Sequence, residues 1–122
     1  MSTDASKPGI PLSRTRRAGA LLFLSGQLPR TPEGGMCNGP IEEQTRQAIA
    51  NMRSLLHAEG LDLADVVKTT VWLTSAEHMA GMNAVYAELF TRPYPTRSTV
   101  VSGLVAEADI EIEAVAFDPQ AV

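Results

Sequence analysis

Large apolar side chains stand at both odd and even positions of the strand-like segments in this sequence, and only two segments have the helical period needed to cover them. Leu22 and Leu24 alternate with Leu21 and Phe23. Val67, Val71 and Leu73 alternate with Val66 and Trp72, and Ile110 and Ile112 with Val115 and Phe117. Two helices cover one face of a sheet, whereas a face left in water ordinarily carries polar residues at alternate positions. The second face here is too apolar to stay wet. The economical way to bury it is against copies of itself, so the pattern alone predicts a homo-oligomer.

The element order follows from the same reading. Residues 1–9 are polar with Pro8 and are expected to be a loose start, with structure beginning near Ile10. Leu12 to Arg17, a turn at Ala18 and Gly19, and Ala20 to Leu24 read as a hairpin. Thr31 to Pro40 holds Gly34, Gly35, Gly39 and Cys37 and reads as a loop. Ile41, Ala48, Ile49, Met52, Leu55 and Leu56 keep the helical period up to Glu59, and Gly60 stands where a left-handed residue would end the helix. Val66 to Leu73 is a strand. Thr74 to Glu77 (TSAE) fits a capping box, so a second helix is expected from about Ser75 to Phe90, with Met79, Met82, Val85, Tyr86 and Leu89 on one stripe and Pro93 and Pro95 beyond it. Strands at Ser98 to Val101 and Ile110 to Phe117 complete a ββαβαββ order, an α+β mixed sheet with two helices on one face, in a single domain spanning 1–122.

Composition narrows the function. The formal charge of -4 argues against a protein whose main partner is nucleic acid. One cysteine, Cys37, allows no intrachain disulfide and suits a reducing cytoplasmic setting. Two histidines, His57 on a polar helix face and His78 with no evident partner, make a zinc cluster an unattractive reading. The longest apolar run, Ala20 to Leu24, is too short to cross a membrane.

Several residues carry candidate chemistry, each with a plainer alternative. Arg97, between Pro95 and a strand, offers a planar fork of donors for a carboxylate, or is a surface arginine. Glu111 and Glu113 share a strand face with Val115 and Phe117. That company can raise a carboxyl pKa for acid–base work, although strand glutamates also guard sheet edges. Ser25 and Gly26 close the first apolar strand, where a glycine allows close approach of a ligand or simply makes a turn. Asn83 and Tyr86, one helical turn apart, present polar groups together or bury the ring. Arg14, Arg16 and Arg17 could hold phosphate, but pairing with Glu107, Asp109, Glu111, Glu113 and Asp118 is the better reading.

Taken in order, the segments Leu24 to Pro29 (LSGQLP), Gln47 to Gly60, Val66 to Val71 (VVKTTV), Asn83 to Tyr86 (NAVY), Pro95 to Ser98 (PTRS) and Ile110 to Ala114 (IEIEA) resemble the reactive-intermediate deaminase, or RidA/YjgF, family from about Ile10 to Phe117. The resemblance implies a chorismate-mutase-like fold assembled as a homotrimer, with ligand clefts between subunits. It also implies hydrolysis of 2-imino and enamino acids to 2-keto acids and ammonia with no metal or cofactor. By position, Arg97 would clamp the substrate carboxylate and Glu111 would activate water, with Ser25, Gly26, Thr99, Asn83 and Tyr86 lining the cleft. The chain departs from the family pattern at Leu12, where a tyrosine is usual, at Thr99, where a cysteine is usual, and in a loop after Arg97 that is one residue shorter. Leu12 keeps open a second reading, a trimeric binding module for small carboxylic acids. An RNA-cleaving or RNA-binding role is the third, disfavoured by the acidic balance.

Overall fold

A computed structural model describes residues 9–122; the expectation for residues 1–8 lies outside them. The strands β1 (Thr15–Ala18), β2 (Leu21–Gln27), β3 (Val66–Leu73), β4 (Thr96–Val101) and β5 (Ile110–Phe117) form one mixed sheet in the order β1-β2-β5-β3-β4. Only β3 and β4 pair in parallel. The helices α1 (Ile41–Ala58) and α2 (Met79–Leu89) connect β2 to β3 and β3 to β4. Both connections step across the sheet in the same direction. Crossovers of one hand therefore set both helices on one face.

Helix α1 forms where its apolar stripe meets that face. Ala48, Ile49, Met52 and Leu56 are buried against Leu22, Val71, Leu73, Ile110 and Ile112. Glu42 and Glu43 lie in its first turn, favourably placed on the helix dipole. It ends as the sequence predicts: Gly60 takes φ 78°, its N–H reaches the His57 carbonyl, and the Leu61 N–H reaches that of Leu56. Among the described residues no helix is long and apolar enough to cross a membrane.

The opposite sheet face is left open in the single chain. Leu21, Phe23, Val100 and Phe117 are 37–44% exposed on it. The second apolar face is thus a property of the fold as well as of the pattern.

Several local expectations are corrected. A bulge between Val66 and Lys68 shifts the register, so Val66 is buried on the helix side with Val71 and Leu73, while Val67 is exposed. Strict alternation assigns these two valines the reverse way. Thr74 is not a cap, because its hydroxyl donates to Asp109. Ser75 instead accepts from the Glu77 N–H and starts a 3-10 turn over Ala76–His78, delaying α2 to Met79. His78 does have a partner, the Asp109 carboxylate at 3.7 Å. Of the basic cluster, Arg17 pairs with Asp118 and Glu59, and among the described residues Arg14 and Arg16 pair with no carboxylate. Strand β4 begins at Thr96, which places Arg97 within the strand rather than ahead of it.

Asp62 supplies a test of local stability. Its carboxylate accepts from the Arg53 guanidinium at 2.9 Å and, secondarily, from the Leu63 N–H at 2.7 Å, and these hold its pKa down at about 2. Asp62→Ala is expected to cost about 1 kcal/mol, the usual value of a lost cap. Because the folded pKa is depressed, this stabilisation is complete above the ordinary carboxylate range and fades as pH falls toward 2. Urea unfolding of both proteins should therefore show a gap at pH 7 that narrows by pH 3.

Candidate active site

The sequence-predicted residues fall into two groups, one on each side of the sheet. The register decides this. Arg97 lies opposite Thr69, which faces the helices, and Glu111 lies opposite Trp72, three positions further along β3 and therefore on the open face.

The first group is built on β4 and α2. Thr69 is buried and shares a hydrogen bond of 2.8 Å with the Tyr86 hydroxyl, which fixes the ring; burial raises the pKa of that phenol. The ring in turn carries the Arg97 guanidinium, whose Cζ lies 4.9 Å from its centroid, and Arg97 Nη1 lies 3.8 Å from the Met82 sulfur. Among the described residues no carboxylate pairs with Arg97, so its donor fork is held in place by an aromatic face and, apart from the long bond to the Met82 sulfur, left unspent. It opens into a cleft of about 450 Å³ lined by Asn83, Tyr86, Ala87, Tyr94, Pro95 and Arg97. Thr99 shares the face of Arg97 two residues along β4, opposite Val71, but does not line this cleft.

Sequence reasoning missed Tyr94, Pro95 and Ala87 as cleft walls. Tyr94 and Pro95 belong to the loop between α2 and β4, which has no periodicity from which to read an orientation. The available signal was their proximity in sequence to Arg97.

The second group gathers where β2 loses register with β5, between Leu24 and Gln27. Ser25 donates to the Ser13 carbonyl, and Gln27 donates from its amide to the Ser25 carbonyl. Gly26 lies directly against Glu111: a Cβ there would overlap the carboxylate. Burial, and secondarily the neighbouring Glu113, raises the Glu111 pKa above the usual range. Ser25 and Glu113 also border a second depression on the open face, with Phe23, Lys68 and Val115. Leu12 is half exposed ahead of β1 and brings no hydroxyl.

One chain therefore presents a cleft with a guanidinium that pairs with no described carboxylate on one side and a perturbed carboxyl on the other. Among the described residues no cluster of three His, Cys, Asp or Glu side chains could hold a metal.

Comparison with known proteins agrees with this architecture. The chain is 44% identical over 93% of its length to a RutC family protein of Pyrococcus horikoshii, covering 92% of that protein. It is 36% identical over 91% of its length to the 2-iminobutanoate/2-iminopropanoate deaminase of Dermatophagoides farinae, covering 88% of that protein. It is similar to the crystal structure of RidA from the Antarctic bacterium Psychrobacter sp., with a TM-score of 0.84 at 32% identity, covering 92% of this chain and 91% of the other. Residues 3–118 match the family model described as endoribonuclease L-PSP, and with these relatives the match shows that the chain belongs to the RidA/YjgF family.

Proposed function

We propose that the protein is a cofactor-free deaminase that hydrolyses 2-imino and 2-enamino acids to 2-keto acids and ammonia. The observation that carries this reading is the unpaired Arg97 guanidinium, stacked on Tyr86 at the mouth of the cleft. It is a fixed fork for the substrate carboxylate. Glu111 takes a proton from water as the oxygen adds to the imine carbon. It returns that proton to the nitrogen to give a carbinolamine, then carries the remaining proton of the new hydroxyl to the nitrogen as the carbonyl forms, the C–N bond breaks and ammonia leaves. A carboxyl whose pKa is raised by burial is suited to both halves of that transfer. The relative named for 2-iminobutanoate and 2-iminopropanoate supports the substrate class. The reading is tested by keto-acid release from enzymatically generated 2-aminoacrylate, and a rate no faster than the spontaneous one overturns it.

Arg97 and Glu111 on opposite faces cannot act together within one chain, so the working unit in this reading is a homotrimer. One copy contributes the Arg97 cleft beside its edge strand β4, and its neighbour contributes Ser25, Gly26 and Glu111 from its own open face. Phe23→Glu puts a charge into that face. Sedimentation should then show the chain mass of 13.1 kDa instead of three times that value, together with loss of turnover. Leu12, which brings no hydroxyl, favours one second reading, a binding module for small carboxylic acids. Keto-acid binding by calorimetry without turnover on a panel of imino acids selects it.

A further inference from the structure

In the single chain the Arg97 cleft has walls that reach beyond the anchoring guanidinium. With a carboxylate on Arg97, the walls left for the rest of a ligand are Asn83, Ala87, Tyr94 and Pro95 around about 450 Å³. Tyr94 is 44% exposed, a large ring that the core does not use. The Arg92 guanidinium lies over it, with Cζ 5.3 Å from the ring centroid, steadying the ring at the cleft wall.

We propose that Tyr94 and Pro95 make this a site selective for 2-imino acids with an aromatic side chain, the Tyr94 ring stacking on the ligand ring while Arg97 holds its carboxylate. The proposal rests on the deaminase reading for the identity of the anchored group and adds the class of side chain. An aromatic substituent removes the exposed Tyr94 ring from water and gains an oriented ring contact. A second carboxylate is the competing choice, since Arg92 is nearby. Arg92 is exposed and does not line the cleft, so its attraction for a distal carboxylate is screened by water. The aromatic reading uses the residues that form the wall.

The test measures binding of the product-like keto acids 3-phenylpyruvate, pyruvate and 2-oxoglutarate to the assembled protein by titration calorimetry. Phenylpyruvate is expected to bind about tenfold more tightly than pyruvate, the size of one good aromatic contact. Tyr94→Ala brings that ratio close to one, and Tyr94→Phe preserves it. An unchanged ratio in Tyr94→Ala, pyruvate bound without preference, or tightest binding of 2-oxoglutarate with its advantage lost in Arg92→Ala each overturns the proposal alone. Failure of all three acids to bind overturns the Arg97 anchor with it. Phenylpyruvate selectivity without turnover of any imino acid leaves the aromatic site standing and removes the deaminase reading.

Discussion

Arg97→Ala is expected to lower kcat/KM for 2-iminopropanoate hydrolysis by about 10²–10³-fold, because it removes a pair of charge-assisted hydrogen bonds worth several kcal/mol in a sheltered cleft. The same change should leave the assembly intact. Arg97 makes no ion pair among the described residues, so its deletion strands no buried charge, and its stabilising contribution is the stack on Tyr86, about 0.5–1 kcal/mol. Arg97→Lys separates charge from geometry. An ammonium keeps the attraction but not the planar fork, so its activity should fall between those of wild type and alanine. The loss should appear with keto-acid binding as well as with turnover, since a carboxylate clamp acts on ground state and transition state alike. Steady-state kinetics with calorimetry on the three proteins checks this, and wild-type activity in the alanine variant removes Arg97 from the mechanism.

What the sequence could carry, and what it could not, divides along physical lines. The helical period of α1 and the left-handed glycine at position 60 are local signals, and both were legible. So was the shared face of Glu111 and Glu113, which needs nothing beyond the parity of one strand. The bulges were not, because an extra residue in a ladder is fixed by pairing with a partner strand. Val66 and Val67 were consequently exchanged. Thr74 was misread for a related reason: its hydroxyl had an intrahelical use on paper and a better acceptor, Asp109, supplied by a segment 35 residues away. The candidate site shows the same limit. Arg97 and Glu111 were each visible as unusual residues, but their placement on opposite faces depends on the registers of β3 with β4 and with β5. That relation is what joins an apolar face and two separated residues in the proposal of a homotrimer.

Glu111→Gln is expected to be the other severe lesion. The amide preserves shape and much of the hydrogen bonding but cannot shuttle a proton, so kcat should fall by about 10²–10⁴-fold while keto-acid binding at Arg97 persists. Fit should not be the cause, because Gly26 leaves room for the side-chain head at this position, and glutamine fills the same space. The pH dependence distinguishes this role from a structural one. Burial and the nearby Glu113 raise the Glu111 pKa, and the reaction needs the ionised form, so the wild-type rate should fall away on an acidic limb above the ordinary glutamate range. Stability should run the other way. A carboxyl whose folded pKa is raised binds its proton more tightly in the folded state, so ionisation costs stability as pH rises through that pKa. The neutral glutamine escapes that cost and should unfold at neutral pH at a temperature no lower than wild type. Thermal unfolding and a pH–rate profile of the two proteins therefore make a matched pair. Lost rate, a vanished acidic limb and undiminished stability assign the proton transfer to Glu111, and a variant that keeps both the rate and the limb takes it away.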